Sequence, residues 1–135
     1  MDKITVEATT ENLYQVLGFI DERLEAVDCS PATQMRLDLV VEELFVNSAH
    51  YAYAPNSGEA TITFETQGDP PAAVITFEDG GVPYDPLKKA DPDVTLDAKD
   101  RQIGGLGIFM VKKNVDDITY EYRGGKNILT IKKTL

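Results

Sequence analysis

The sequence predicts an α+β fold in which helices cover one sheet. Strand-like segments occur at the start of the chain and in two pairs further on, and segments with helical spacing lie between them. Paired strands toward both ends with helices between them favour a two-layer α/β sandwich. The 135 residues suffice for one domain, 1–135, with a core of its own.

The first part of the chain predicts one strand and two helices. Residues 3–8 (KITVEA) alternate as a strand does. A helix follows whose apolar residues recur every three or four positions, with Thr10 as its expected N-cap. A second helix is expected over 31–53, because Ser30 and Pro31 supply an N-cap followed by a first-turn proline.

The rest of the chain predicts two hairpins separated by a loop and a short helix. Segments 59–67 and 72–80 are rich in β-formers and are joined by GDPP, and 116–133 turns at a Gly-Gly pair. Residues 81–105 show no convincing periodicity, and so long a loop in a compact domain is usually a lid or a disordered segment. A short helix opened by glycines, GLGIFMVKKNV, precedes the last hairpin.

Composition excludes several classes of protein. The net charge of -10 argues against a nucleic-acid partner, because phosphates would be repelled. No apolar run approaches the roughly 20 residues that cross a bilayer, and the start lacks the regions of a signal peptide, so we expect no membrane partner. The lone Cys29 favours a reducing, cytoplasmic setting. The lone His50 excludes a multi-histidine metal site but leaves a hard cation held by oxygen ligands.

The second predicted helix carries polar residues in an apolar setting. Glu43 and Asn47 are four residues apart, so they point the same way, and His50 extends their line. A solvated polar stripe is the simpler interpretation of such a line. Against it, Phe45 and Val46 lie between the polar residues, so a second face of the helix must also be packed.

The strand that ends at Asp79 is followed at once by two glycines. Gly80 and Gly81 permit a positive φ and a close approach of the backbone to a flat or bulky group. The Asp79 carboxylate could accept a hydrogen bond from an exocyclic amine. A tight turn in which Asp79 forms an Asx turn is the alternative.

Glycines 104, 105 and 107 lead into the short helix and expose backbone N–H groups at its positive end. This is an arrangement that binds phosphate. It is not the nucleotide P-loop, because the GK[ST] ending is missing, and the chain lacks the dinucleotide fingerprint. Close packing at a glycine-rich helix start remains the alternative.

The order of these segments resembles the GHKL ATPases, which include gyrase-type topoisomerases, heat-shock chaperones, mismatch-repair ATPases and histidine kinases. The three boxes are EELFVN, DGGVPYDP and GGLG, and they span essentially the whole chain. DGGVPYDP is most similar to the small stand-alone bacterial anti-sigma factor serine/threonine kinases. The resemblance implies a Bergerat ATP-binding fold, with a mixed, mainly antiparallel sheet covered on one face by three helices and an ATP lid at about 87–104.

The resemblance also implies roles for single residues. Glu43 would be the general base that removes a proton from an attacking hydroxyl or water, and Asn47 would hold Mg²⁺ through its side-chain oxygen. Asp79 would accept from the adenine amine, and Gly81 would let the base approach the backbone. The residues implied to bind the cofactor are Asn47, Asp79, Gly81, Arg101, Gly104, Gly105, Leu106, Gly107 and Asn127.

Several positions depart from the family's pattern. Relatives often have a histidine where this chain has Tyr51, and we interpret His50 as a pocket-wall or packing residue. Lys99 and Arg101 lie in the lid, where a cation could neutralise the γ-phosphate. Asn127 lies where many relatives carry a threonine that faces adenine.

Two functions follow from the resemblance, both with ATP and Mg²⁺ as cofactors. The first is an ATP-dependent serine/threonine kinase that phosphorylates a small anti-anti-sigma (STAS-type) regulator and binds a sigma factor. The second is a regulatory binding module with little or no kinase activity, in which ATP orders the lid and the ordered lid creates or hides a surface for a partner. A third possible function, a free-standing ATPase that serves a receiver or a phosphatase encoded nearby, remains open. The resemblance also implies a homodimer, and we expect its surface on the first helix and the first strand.

Overall fold

The computed structural model describes residues 1–53, 57–88 and 105–135. A five-stranded sheet forms one layer, and helices cover it. The elements, in chain order, are β1 (Asp2–Glu7), α1 (Leu13–Ala26), α2 (Pro31–Asn47), β2 (Glu59–Gln67), β3 (Ala72–Asp79), α3 (Gly105–Asn114), β4 (Asp117–Arg123) and β5 (Lys126–Thr134). Short helical turns cover Thr10–Asn12, Ser48–Ala52 and Pro86–Lys88.

The strands lie in the order β1-β2-β3-β5-β4. All four pairings are antiparallel, so the parallel contact that a mixed sheet would contain is absent from the described part of the chain. Both predicted hairpins are present. The second turns at Gly124 and Gly125, whose φ angles of 62° and 77° suit a two-residue hairpin turn. The pairing of β3 with β5 places Asn127 directly beside Asp79.

The predicted start of the second helix is confirmed, and that of the first is wrong. Ser30 caps α2, because its hydroxyl accepts a hydrogen bond from the Thr33 N–H at 3.3 Å. Thr10 is not an N-cap, because the chain leaves β1 in a tight turn that begins one residue earlier. The Asn12 N–H donates to the Thr9 carbonyl in that turn, and Thr10 becomes part of its single helical turn.

The second helix was expected to run unbroken to residue 53, but its α-helical part ends at Asn47. The five residues Ser48–Ala52 continue it as a π-helical turn. Such turns are rare and occur frequently at functional sites. Here the π turn follows directly on the polar pair of α2.

The core lies between the sheet and the helices. Phe45 on α2 and Ile62 and Ile75 on the sheet are fully buried. Helix α2 contacts both α1 and α3, so it is the central helix of its layer. This position brings the C-terminal part of α2 to the start of α3. Among the described helices, none has the length and apolar character needed to cross a membrane.

Candidate functional site

A cavity lies where the end of β3 meets α2 and β5. Leu44, Phe77 and Leu129 form its apolar walls, and its volume is about 40 Å³. The polar residues that line it are Asn47, Ser48, Asp79, Tyr84, Tyr120 and Asn127. Three residues predicted from different segments, Asn47, Asp79 and Asn127, therefore share one cavity.

Asp79 is buried at the end of β3, and its carboxylate is held by neutral donors. Oδ2 accepts from the Ser48 hydroxyl at 3.0 Å. Oδ1 accepts from the Gly81 N–H at 3.1 Å and from Asn127 Nδ2 at 2.9 Å. The Asx turn expected as the alternative is thus present, but the same carboxylate also joins α2 and β5. Hydrogen bonds to a buried carboxylate offset its loss of water and fix its orientation toward the cavity.

Asn127 is buried between Asp79 and the loop that follows β3. Its Nδ2 donates to Asp79 and to the Val82 carbonyl, the latter at 2.8 Å. Its Oδ1 accepts from the Tyr84 N–H at 3.0 Å and from the Tyr120 hydroxyl. An amide side chain has two N–H donors and two acceptor lone pairs, so all four are used.

Gly81 passes close to the π turn. A Cβ added at this position would overlap the backbone carbonyl of Ala52. The next N–H in the chain, that of Val82, donates to the same carbonyl at 2.9 Å. Glycine at position 81 therefore lets the loop pack directly on the π turn.

Glu43 and Asn47 lie on one side of α2, as their spacing predicts. The Glu43 carboxylate lies against Gly107, in the first turn of α3, where a Cβ would overlap it. The first backbone N–H groups of a helix have no partner within the helix and favour negative charge. The acid on α2 and the positive end of α3 are therefore neighbours.

Asn47 fits the role of a magnesium ligand. Its side chain lines the cavity and makes no hydrogen bond to another residue of the described ranges. Mg²⁺ prefers oxygen ligands and usually keeps several waters, so a single amide oxygen suffices when phosphates supply others. The donor set at this place therefore suits a nucleotide-bound Mg²⁺ better than a site formed by protein ligands alone.

Some predicted residues are only partly described, and one interpretation is wrong. Lys99, Arg101 and Gly104 lie outside the described residues, as does most of the predicted lid. Gly105 begins α3, which agrees with the predicted glycine-rich helix start, and Leu106 follows within that helix. His50 is exposed and does not line the cavity, so its interpretation as a pocket-wall residue is wrong. The alternative of a packing residue agrees with its ring contact to Tyr51, with centroids 6.2 Å apart.

Sequence reasoning missed four contributors to the site. Ser48 bonds Asp79, and Tyr120 bonds Asn127. The Tyr84 ring stacks on Tyr51 with centroids 5.3 Å apart. The Tyr53 hydroxyl accepts from the Gly80 N–H and donates to the Glu59 carbonyl.

The sequence signals for these four residues differ in strength. Ser48 directly follows Asn47, and Tyr53 comes three residues after His50, so both stand next to the polar line of α2, which was a usable signal. Tyr84 lies inside DGGVPYDP, the segment that the sequence analysis had singled out. Tyr120 offers no local signal, because its contact depends on the pairing of β4 with β5.

Residues 6–133 match the histidine kinase-like ATPase domain family. The chain belongs to this family. The match covers nearly the whole chain, so the fold and the resemblance predicted from the three boxes are confirmed. The histidine kinase-like ATPase domain thus accounts for the sheet, the three helices and the cavity between them.

Two curated relatives of this ATPase domain are similar over most of their length. The serine-protein kinase RsbW of Listeria monocytogenes serovar 1/2a is 27% identical over 138 residues, covering 97% of this chain and 87% of the relative. The protein of the same name from Listeria innocua serovar 6a is 26% identical with the same coverage. Among solved structures, the Acinetobacter baumannii histidine kinase AdeS is 15% identical with a TM-score of 0.46, covering 99% of this chain and 68% of that one.

Proposed function

We propose that this chain binds ATP with Mg²⁺ and is a serine/threonine kinase of the anti-sigma type. Its substrate would be a small anti-anti-sigma regulator of the STAS type, and a sigma factor would be its second partner. The observation that carries the proposal is the arrangement of three polar side chains. The buried carboxylate of Asp79 shares a cavity with Asn47 of α2. Glu43, one turn earlier on α2, lies against the start of α3. The relatives that carry the name serine-protein kinase support the choice of reaction.

The base end of the nucleotide would enter the cavity at Asp79. Oδ2 accepts one hydrogen bond, from Ser48, and so retains a lone pair for a further donor. The exocyclic amine of adenine is such a donor, whereas guanine presents a carbonyl at the same ring position. Leu44, Phe77 and Leu129 supply apolar surface for the faces of a ring.

The phosphate end would lie between α2 and the first turn of α3. Backbone N–H groups from Gly105 to Gly107 suit phosphate oxygens. Mg²⁺, held by Asn47, would neutralise charge on the phosphates. Glu43 would take the proton of a serine or threonine hydroxyl. The hydroxyl oxygen would then form a bond to the γ-phosphorus. The bond between the γ-phosphorus and the oxygen that bridges it to the β-phosphorus would break, and ADP would leave with that electron pair.

A nucleotide titration tests the binding part of this proposal. Wild type, Asp79→Ala and Asn47→Ala are titrated with ATP, with and without Mg²⁺. We expect Asp79→Ala to abolish binding and Asn47→Ala to make binding insensitive to Mg²⁺. Wild-type protein that binds no adenine nucleotide would remove the basis of the proposal.

Transfer of label from γ-labelled ATP to candidate regulators tests the catalytic part. We expect label on a serine or threonine of the regulator and none with Glu43→Ala. If ATP binds but no label moves, partner affinity measured with ATP, with ADP and without nucleotide tests the regulatory-module function. Affinities that are equal in all three states would exclude that function as well.

A further inference from the structure

The cavity beside Asp79 is too small to hold a nucleoside as it stands. Its volume is about 40 Å³, whereas sites for drug-sized ligands have about 300–1,000 Å³. Many of its walls belong to α2, β3 and β5, whose side chains form the core. The π turn and Tyr120 on β4 also line it, and the last wall is residues 80–86, here called the cover loop, which contributes Tyr84 and Pro86. The cover loop is mostly irregular, so its movement is the least disruptive way to admit a base.

Asn127 makes two of the hydrogen bonds that hold the cover loop. It donates to the Val82 carbonyl and accepts from the Tyr84 N–H, so it holds the middle of the loop at two places. The start of the loop is held separately, because the Gly80 N–H donates to the Tyr53 hydroxyl and the Gly81 N–H to Asp79. Val82 N–H donates to the Ala52 carbonyl, and the Tyr84 ring stacks on Tyr51, an exposed residue.

Asn127 also holds the Asp79 carboxylate, which would accept a hydrogen bond from the adenine amine. Asn127 Nδ2 lies 2.9 Å from Asp79 Oδ1. Because all donors and lone pairs of Asn127 are used within the protein, it has none to offer a base while the loop is closed. A threonine at this position has a single hydroxyl, which cannot make four hydrogen bonds of this kind.

We propose that Asn127 is a positioning residue that latches the cover loop over the cavity and links the loop to Asp79. Nucleotide entry then requires the Asn127 bonds to Val82 and Tyr84 to break. Closure of the loop after release restores these bonds and the orientation of Asp79. This proposal rests on the proposed nucleotide site at Asp79, but the latch itself exists in the ligand-free protein and is tested there first.

Amide hydrogen exchange of the ligand-free protein tests the latch without nucleotide. In Asn127→Ala, we expect the Val82 amide to exchange faster by about tenfold, the order of effect of losing one or two hydrogen bonds. The Val82 amide is the decisive probe, because its acceptor, the Ala52 carbonyl, is untouched by the substitution. The control is Asn12→Ala, which removes an amide bond to the Glu7 carbonyl outside the cavity. An unchanged Val82 amide in Asn127→Ala would overturn the latch.

A second variant separates the latch from a general loss of packing. Asn127→Asp keeps the shape and the Oδ1 acceptor but turns the donor toward Asp79 into an oxygen. Two carboxylates this close cannot both stay ionised without repulsion, and a shared proton restores one donated bond. After correction for the intrinsic effect of pH on exchange, we expect Val82 protection to return as pH falls in Asn127→Asp but not in Asn127→Ala. Identical pH profiles for the two variants would overturn the proposal.

Nucleotide kinetics then connect the latch to the site. With a fluorescent adenine nucleotide in stopped flow, we expect Asn127→Ala to speed association by about tenfold. If wild type binds the nucleotide and the association rate stays unchanged, the latch is wrong and the proposed function stands. If wild type binds none while the Val82 amide responds, the proposed function is wrong and the latch stands.

Discussion

The Glu43 carboxylate on α2 lies against Gly107 in the first turn of α3. The two residues are 64 positions apart in the chain, and glycine is the residue that leaves room for the acid. This contact places a candidate base at the positive end of a helix, where phosphates would also bind. The packing of α2 against α3 therefore sets the position of the proposed base.

A substitution at Gly107 should act on the reaction more than on the fold. In Gly107→Ala, the new Cβ meets the end of the flexible Glu43 side chain, which can move aside. We expect phosphoryl transfer to fall by at least about tenfold, and Glu43→Gln to lower it by roughly 10²–10⁴-fold, the contribution of a positioned general base. Label transfer from γ-labelled ATP, together with thermal unfolding, is the measurement. Glu42→Gln, on the exposed face of α2, serves as the control. Full transfer activity in Gly107→Ala would contradict the assignment of Glu43.

The adjacent glycines after β3 should respond differently to the same change. Gly81→Ala forces a Cβ onto the backbone of Ala52, which cannot move cheaply, so we expect a loss of about 1–3 kcal/mol in the free energy of unfolding. Gly80→Ala places its Cβ 3.4 Å from the Tyr53 hydroxyl, an ordinary contact, and should cost less than about 0.5 kcal/mol. Urea unfolding of both variants measures this. Equal losses would show that the cover loop does not pack on the π turn as described.

Asp38 should make stability depend on pH. The pKa of Asp38 is raised to about 7, first by burial, then by the hydrogen bond and negative charge of Asp21 and by the charge of Glu25. The folded state thus binds more protons than the unfolded state between about pH 4 and 7, so stability falls as pH rises through this range.

Asp38→Asn removes this dependence. We expect the variant to be more stable than wild type at pH 8, with a smaller difference at pH 5, because the wild-type carboxyl is then protonated. Urea unfolding at both pH values is the measurement. Because much of the group is reached by solvent, the prediction concerns the sign of the difference. A larger gain at pH 5 than at pH 8 would contradict the raised pKa.

Gly18 should be replaceable with a gain in stability. It lies in the middle of α1 on the exposed side, and an added Cβ would meet no atom within 4 Å. Glycine inside a helix costs roughly 0.5–1 kcal/mol relative to alanine, so Gly18→Ala should stabilise the protein by about that amount. Chemical denaturation gives the value directly. A loss of stability would mean that α1 is not a regular helix at this position.

The first strand should mediate the implied homodimer. β1 is an edge strand that pairs only with β2 among the described strands. If two copies pair antiparallel about Thr5, Lys3 of each copy faces Glu7 of the other, and Ile4 faces Val6 on the helix side.

Charge reversal tests this arrangement. Lys3→Glu alone should weaken the dimer in sedimentation equilibrium by roughly threefold to tenfold, because like charges then face each other. The double variant Lys3→Glu with Glu7→Lys should restore it. Single and double variants that associate equally would exclude pairing through β1.

Local sequence patterns determined several elements of the fold. The strand that ends at Asp79, the Ser30 cap and the Gly-Gly hairpin each follow from a few neighbouring residues. The alignment of Glu43 with Asn47 follows from the helical repeat alone. Thr10 was wrong as an N-cap because the tight turn that leaves β1 includes it, so that α1 begins only after Asn12.

The tertiary structure alone decided how the site is assembled. The pairing of β3 with β5 brings Asn127 to Asp79, which is 48 positions earlier in the chain. Helix packing brings Gly107 to Glu43, and the π turn brings Ser48 to Asp79. The sequence by itself determined which residues have the right chemistry and which element carries each one. It could not determine their hydrogen bonds, because strand register and helix packing depend on the whole core rather than on any local repeat.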